Sequence, residues 1–236
     1  MNSATERAPR ILVRRALGVA GLAAGCVAAQ ACNSSTSSPP TPATVESESP
    51  ATLMAVVGTA VDTPVVVRVV ASNGQPVPNT MVAFSVSGPD SATLNPITTT
   101  TDASGTAKTA VTLGTVAGTD TLLAADYGAV PATFILIAEP GHWRSMSAVS
   151  GDQQAGSPGT LLPDSLVVEV TDVYGNPVPG VTVDWSASAG TLGTAVTTSD
   201  ADGLVATTFT LGASPGSESV MAQIGQDFVV FTETSQ

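Results

Sequence analysis

The sequence contains few of the residues on which catalysis and metal binding depend. It has one histidine, His142, and only two cysteines, Cys26 and Cys32, both near the N-terminus. A zinc site needs three or four clustered His, Cys or carboxylate ligands, and a hydrolytic triad needs a histidine held between a nucleophile and an acid. His142 lies instead in the junction 139–144, which we expect to be the least preorganised part of the chain. We therefore predict no enzymatic activity, no metal site and no cofactor.

Positive charge is also scarce. Four of the seven basic residues lie within the first fifteen positions, and the formal net charge is −12. The remaining basic residues are Arg68, Lys108 and Arg144. A chain without a basic face does not attract a phosphate backbone or an anionic headgroup. The sequence therefore argues against nucleic acid as a partner.

The N-terminal segment has the pattern of an export signal. Arg14 and Arg15 precede an apolar run over residues 16–25, which is too short to span a bilayer comfortably. We predict that residues 1–31 are a signal peptide.

Small residues precede each cysteine, in Ala-Ala-Gly-Cys26 and in Ala-Gln-Ala-Cys32. Both segments resemble the lipobox of bacterial lipoproteins, although neither has the usual Leu three positions before the cysteine. A polar segment rich in Ser, Thr and Pro follows Cys32, whereas an apolar stretch follows Cys26. We therefore predict a lipid anchor at Cys32 in preference to Cys26. Cleavage without lipidation also fits the Ala-x-Ala pattern before Cys32.

The composition of residues 32–50 predicts a disordered Ser/Thr/Pro tether. An exported chain with a lipid anchor and such a tether is expected in the cell envelope. We predict that the lipid attaches the protein to the outer membrane or the cell surface, so that the membrane is a partner through the anchor alone.

A long internal repeat follows the tether. Gly74-Gln75-Pro76-Val77-Pro78 recurs as Gly175-Asn176-Pro177-Val178-Pro179, offset by 101 residues, and Asp102-Ala103-Ser104-Gly105 recurs as Asp200-Ala201-Asp202-Gly203, offset by 98. A period of this length is a whole small domain. We predict two domains, over residues 51–138 and 139–236, that differ in length in one loop between Val86 and Leu94.

Each copy consists of short alternating segments separated by turn residues, which predicts an all-β sandwich. Val65, Val67 and Val69 are expected to face inward, and Leu166, Val168 and Val170 are their counterparts. Val82, Phe84 and Val86 likewise match Val183, Trp185 and Ala187. We interpret Trp185 as a core residue and not as a sugar-stacking platform.

The Asp200–Gly203 loop contains two carboxylates and is similar to part of a calcium loop. The remaining ligands of an EF-hand are missing, and the first copy has Ser104 in place of Asp202. We therefore predict turns in which Asp102 and Asp200 accept backbone N–H groups.

Four segments of the second copy occur in an order and spacing typical of one domain family. They are residues 172–185, 190–192, 199–203 and 210–216. In these segments the chain resembles the group 1 bacterial Ig-like domain, the invasin and intimin type, and the first copy departs from the pattern at Gly88-Pro89-Asp90. The resemblance implies two tandem Ig-like Greek-key β-sandwiches that serve as stalk and adhesion modules of a bacterial surface protein.

We therefore predict a non-catalytic cell-envelope protein whose loops or sheet edges bind a protein or glycan ligand at the cell surface. Two alternatives stay open on the sequence alone: a carbohydrate-binding accessory module and a purely structural spacer. Binding is expected mainly at positions where the two copies differ.

Overall fold

The computed structural model describes residues 38–89 and 92–236. These residues form nineteen β-strands and no helix. In particular, none of them belongs to a helix long and apolar enough to cross a membrane. The predicted signal peptide, Cys26 and Cys32 lie outside the described residues, so the export and lipidation predictions stay predictions.

The strands fall into two groups along the chain. The first group is β1 (Thr44–Ser47), β2 (Thr52–Val56), β3 (Val65–Val70), β4 (Met81–Ser87), β5 (Thr93–Asn95), β6 (Thr98–Thr100), β7 (Thr106–Thr112), β8 (Gly118–Ala125) and β9 (Ala132–Glu139). The second group is β10 (Trp143–Ser150), β11 (Ala155–Gly156), β12 (Leu166–Asp172), β13 (Thr182–Ala187), β14 (Thr191–Leu192), β15 (Val196–Thr198), β16 (Leu204–Thr207), β17 (Phe209–Thr210), β18 (Gly216–Ile224) and β19 (Asp227–Ser235).

Each group builds a sandwich of two sheets. In the first sandwich, a sheet of order β1-β3-β7-β5 faces a sheet of order β2-β9-β8-β4-β6. In the second, β10-β12-β16 and the short β14-β17 ladder face β11-β19-β18-β13-β15. The first segment of each copy changes sheets: β1 pairs antiparallel with β3, whereas β2 pairs parallel with β9. The all-β fold of two Ig-like sandwiches is therefore confirmed.

Each sandwich has its own hydrophobic core. The first core extends from Val45 to Leu136 and the second from Leu162 to Phe231. The strands predicted to alternate do so, since the inward residues of β3 and β12 are fully buried. Trp185 is also buried, with its ring centroid 6.0 Å from that of Phe231 and its indole N–H donating to Thr197 Oγ1 at 2.7 Å. The interpretation of Trp185 as a core residue is confirmed.

The tether prediction is wrong at its C-terminal end. Residues 44–47, placed in the tether over residues 32–50, form β1 and pair with Val67–Val70 of β3. Val45 is only 3% exposed and belongs to the first core. The polar composition around Val45 gave no local signal for a strand, because β1 is stabilised by pairing with residues more than twenty positions away. The first sandwich thus begins before residue 51.

The repeated turns have the same hydrogen bonds in both copies. Val77, between two prolines, donates its N–H to Val69 O at 2.9 Å, and Val178 donates to Val170 O at 2.9 Å. Each proline pair therefore leaves one donor in phase with the neighbouring strand. Asp102 accepts the N–H groups of the residues two and four positions ahead, and Asp200 does the same. The predicted role of these two aspartates is confirmed.

One carboxylate is buried at the last strand of the second sandwich. Glu233 has no exposed surface, and its Oε2 accepts the Gln154 N–H at 2.7 Å. Its Oε1 has no hydrogen-bond partner. Burial raises the pKa of Glu233, because the charged form loses its hydration and the single N–H compensates only in part.

The three basic residues in the described part of the chain all lie within strands. Arg68 is in β3, Lys108 in β7 and Arg144 in β10. Arg68 additionally donates from Nε to Ser104 O at 3.2 Å. The backbones of Arg68 and Lys108 are consequently held in sheets, whereas Arg144 lies at an irregularity in the pairing of β10 with β12.

Candidate functional site: the joint between the two sandwiches

A network of hydrogen bonds lies where the first sandwich meets the second. Residues 39–236 form one compact unit, and only residues 140–142 separate β9 from β10. The Gly141 N–H donates to Asp172 Oδ2 at 2.9 Å, and Pro140 is half-buried. The junction 139–144 was expected to be the least preorganised segment, and that expectation is wrong. A short connection, fixed by a carboxylate from the second sandwich, orders it.

Asp172 organises the joint from the end of β12. It is 3% exposed. Its Oδ1 accepts the N–H groups of Tyr174 at 2.8 Å and Asn176 at 2.9 Å. Its Oδ2 accepts the Asn176 side-chain amide at 2.9 Å, in addition to the Gly141 N–H. Burial by itself would raise the pKa of Asp172, but these hydrogen bonds to the charged form outweigh burial and hold the pKa below its usual value.

Asn176 carries the contact across to the first sandwich. Its Oδ1 accepts the Ala117 N–H at 2.8 Å, and its Nδ2 donates to Thr115 O at 2.8 Å. The amide group is thus bonded on both sides to one loop, and it is 6% exposed. We name residues 172–176 the docking turn and residues 114–118 the receiving loop. Two part-buried hydrogen bonds, one accepted and one donated by the Asn176 amide, fix the position of the docking turn on the receiving loop.

Tyr174 provides a second contact at the joint. An ideal Cβ built on Gly58 would lie 2.8 Å from the Tyr174 hydroxyl and 3.4 Å from its ring carbon Cζ. Gly58 has a φ of +70° and donates its N–H to Gly114 O at 2.7 Å. The tyrosine therefore lies against bare backbone beside the receiving loop. Only glycine accommodates both the positive φ and this approach without strain.

Two open grooves flank the linker, with cavity volumes of about 380 and 340 Å³. Pro140 and Pro179 contribute to both. Trp143 is half-buried against the second core and lines the smaller groove beside the exposed His142. Trp143 thus packs near the joint, and His142 is exposed next to it. The hydrogen bonds found at the joint, which the N–H groups of Gly141, Tyr174 and Ala117 donate, do not involve His142.

The carboxylates of the Asp200–Gly203 loop are used for turn geometry. Asp200 Oδ1 accepts the N–H groups of Asp202 and Leu204, at 3.0 and 2.9 Å. Across residues 38–89 and 92–236, no group of three or more His, Cys, Asp or Glu side chains is arranged to hold a metal ion. At the joint, too, the polar groups form hydrogen bonds within the protein, and the Tyr174 ring fits closely against Gly58. Both features favour a rigid connection.

Asp172, Tyr174 and Asn176 belong to the segment 172–185 that carries the family resemblance, but their role in a joint was not predicted from the sequence. Gly58 was missed altogether. A signal was nevertheless present, because Gly58-Thr59 recurs as Gly159-Thr160 at the same offset of 101 residues as the proline motif. In the folded chain Tyr174 approaches the first of these glycines, Gly58, and no atom lies within 4 Å of the Cβ position of the second, Gly159. This difference between the two copies marks the joint.

Comparisons with known proteins agree with this architecture. Residues 163–234, within the second sandwich, match the family model of the bacterial Ig-like domain (group 1). The resemblance inferred from the repeat is thereby confirmed for the second copy, and the first copy has the same sandwich fold. No curated protein matches the chain.

Two solved structures of bacterial proteins match most of this chain. The structure of Yersinia pseudotuberculosis InvD matches with a TM-score of 0.55 and 17% identity, over 82% of this chain and 57% of that one. The Escherichia coli adhesin FdeC matches with a TM-score of 0.44 and 19% identity, over 80% of this chain and 63% of that one. The chain thus spans less than two thirds of either structure.

Proposed function

We propose that the chain is a non-catalytic, exported protein of the bacterial cell envelope, in which two joined Ig-like sandwiches act as a short, rigid adhesion module. The observation that carries the proposal is the docked Asn176 amide, bonded to both Thr115 and Ala117 of the neighbouring sandwich. Contacts between domains usually permit relative motion. Hydrogen bonds that fix two domains to each other are useful to a protein that must hold a binding surface at a fixed distance from its attachment point.

The attachment point in this proposal is a lipid on Cys32. From Cys32 to Ala43, whose N–H donates to Val70 O at 2.9 Å, the chain has eleven residues. At about 3.3 Å per residue such a segment reaches roughly 36 Å when extended. The sandwiches would therefore stand close to the membrane surface, and the far end of the second sandwich would be the part that meets a ligand.

The far end is also where the copies differ in role. The receiving loop around Gly114 in the first sandwich contacts the second sandwich, and residues 212–216 are the equivalent loop of the second copy. Backbone groups and small side chains of such loops are suited to a protein or glycan ligand. Ala213 and Ser214 lie there and are both exposed.

The experiment that tests the proposal has two readouts on the full chain expressed in a bacterial host. The intact mass of protein extracted from membranes should show a mature N-terminus at Cys32 with a diacylglyceryl group, lost in Cys32→Ser and retained in Cys26→Ser. An unmodified soluble product starting at residue 32 would refute the anchor.

Adhesion is measured separately, as retention of displaying cells on glycan arrays and on immobilised matrix proteins. We expect retention that falls at least tenfold when Ala213 and Ser214 are both replaced by Asp, while the same exchanges at Ser104 and Ala103 leave it unchanged. Retention that is absent on every surface would contradict adhesion and identify a structural spacer.

A further inference from the structure

The receiving loop of the first sandwich has an equivalent in the second, at residues 212–216. Within the described residues the docking turn lies on the loop of the first sandwich. Gly159 stands where Gly58 stands in the first copy, and its N–H donates to Gly212 O at 3.0 Å, as that of Gly58 donates to Gly114 O. Gly159 also has a positive φ, +75°, but no side chain lies within 4 Å of the position of its Cβ. The backbone of the receiving loop and the glycine bonded to it are thus repeated in the second sandwich.

The repeated loop differs at the atom that matters for docking. Gly118 aligns with Gly216, so Ala117 aligns with Pro215. The hydrogen bond that Ala117 contributes to the joint comes from its backbone N–H and is accepted by Asn176 Oδ1. Proline has no N–H. A docking turn placed on residues 212–216 would leave the Asn176-type Oδ1 buried without a donor.

The docking turn is likewise present once. Residues 71–75 repeat its backbone, since the Ala71 N–H donates to Gln75 O at 2.9 Å just as Asp172 donates to Asn176 O at 2.9 Å. The side chains differ at each position of the contact. Ala71, Asn73 and Gln75 stand in place of Asp172, Tyr174 and Asn176.

In the first sandwich the turn is closed locally. Asn73 Oδ1 accepts the Gln75 N–H at 3.0 Å, a bond that Asp172 Oδ1 makes in the second copy. The turn at residues 71–75 therefore keeps its shape without a carboxylate that could hold a linker and without an aromatic ring at position 73. It has the conformation of a docking turn but lacks the carboxylate and the aromatic ring, and the amide of Gln75 lies one methylene further from the backbone than that of Asn176.

We propose that the docking turn is specific for a receiving loop with an N–H at the position of Ala117, and that the chain encodes this joint in one direction and one place. Its partner is the first sandwich of the same chain. The loop at residues 212–216 rejects a further docking turn, including that of a second copy of the chain. An interface that could repeat head to tail would build an open filament, and the exchanges at residues 71, 73, 75 and 215 remove that possibility.

The strength of the discrimination follows from the buried amide. A buried acceptor left without its donor shifts an equilibrium by roughly 5- to 150-fold. The inference does not depend on the anchor or on any ligand, so it can fail or succeed independently of the proposed function.

The test introduces the proline of the loop at residues 212–216 into the receiving loop. Ala117→Pro gives the receiving loop the residue found at position 215, whose presence there indicates that a loop of this conformation accepts proline. Pro215→Ala is the matched control. Spin labels on Thr133→Cys and Thr232→Cys, in the chain with Cys26 and Cys32 replaced by Ser, report the distance between the sandwiches by double electron–electron resonance.

We expect a single narrow distance distribution in the unsubstituted labelled chain and in Pro215→Ala, and a distribution at least twice as broad in Ala117→Pro. Circular dichroism and thermal unfolding of each variant establish that both sandwiches remain folded. An unchanged distribution in a folded Ala117→Pro chain would overturn the proposal.

A double substitution separates loss of the hydrogen bond from general damage to the loop. Asn176→Ala alone should broaden the distribution, and adding Ala117→Pro should broaden it no further, because both changes remove the same bond. Additive broadening would overturn the specific role of the Ala117 N–H. Sedimentation velocity provides the last readout: the unsubstituted chain should stay monomeric, and head-to-tail association abolished by Asn176→Ala would also overturn the proposal.

Discussion

The hydroxyl of Tyr174 lies 2.8 Å from the position that a Cβ on Gly58 would occupy, although the two residues belong to different sandwiches. The equivalent of Gly58 in the second sandwich, Gly159, has the same sign of φ and open space around it. The pair Gly58 and Gly159 therefore separates two reasons for a glycine, which are backbone conformation and close approach of a neighbour.

We predict that Gly58→Ala and Gly159→Ala lower the free energy of unfolding by similar amounts, about 1–2 kcal/mol, because both force alanine into a positive φ. Only Gly58→Ala should also displace Tyr174 and loosen the joint. Urea unfolding measures the first effect, and the distance distribution between the sandwiches measures the second. Equal distributions in the two variants would show that Tyr174 does not depend on the missing Cβ.

Asp172 makes the joint sensitive to acid. Its pKa is lower in the folded state than in the unfolded state, since the hydrogen bonds from Asn176, Gly141 and Tyr174 favour the charged form despite burial. The stability it contributes is complete above the unfolded value, 3.8, and is lost as the pH falls through the folded value. We expect the distance distribution to be narrow at pH 6 and to broaden in acid.

Asp172→Asn should remove this acid dependence and weaken the joint at every pH, by about 1–3 kcal/mol. The reason is that the amide has one acceptor oxygen where the carboxylate uses two, and its NH₂ group faces donors. A pH profile of the variant with the same acid limb as the natural chain would assign the titration to another group. Asp102→Asn, at a fully exposed turn in the first sandwich, is the control outside the joint.

Glu233 should act in the opposite direction. Burial raises its folded pKa above the usual 4.5, so its contribution to stability is complete below that value and is lost as the pH rises through the folded pKa. We predict that Glu233→Gln stabilises the second sandwich at pH 8 and changes it little at pH 4. Thermal unfolding across this range is the measurement, and Glu169→Gln on β12 serves as a half-exposed control. A variant less stable than the natural chain at pH 8 would contradict the prediction.

Trp185 should dominate the stability of the second core. Trp185→Ala removes a buried ring packed on Phe231 and leaves Thr197 without the indole donor, so we expect a loss of about 3–5 kcal/mol. Trp143→Ala, at a half-buried position, should cost distinctly less. Intrinsic fluorescence during urea unfolding distinguishes them, since each variant retains the other tryptophan as its probe. Equal losses would mean that the core does not depend on Trp185.

The cores could be predicted from the sequence because their signal is local and appears twice. Val65, Val67 and Val69 alternate over six residues, and the same phase recurs at Leu166, so two independent patterns specify which side faces inward. The turns at Asp102 and Asp200 were predictable for a similar reason, since a side chain bonds backbone groups only two to four positions ahead.

Strand β1 and the joint could not be predicted in the same way. Val45 lies in a polar segment and is buried only because β3 pairs with it. Gly58 and Tyr174 are more than a hundred positions apart, and nothing near either residue indicates the other. What the sequence did contain was a difference between copies, Ala117 against Pro215, whose meaning depends on a hydrogen bond that only the folded chain reveals.

The placement of the three basic residues has a consequence for proteolysis. Trypsin-like proteases cleave after lysine or arginine and need several residues of extended, unpaired backbone in their active site. Arg68, Lys108 and Arg144 supply their only cleavage sites within the described residues. Arg68 and Lys108 are paired with a neighbouring strand, whereas Arg144 lies at an irregularity in the pairing of β10 with β12. Cleavage after Arg68 or Lys108 has to wait for a strand to leave its sheet. The first sandwich, which contains Arg68 and Lys108, thus resists such proteases for as long as it stays folded.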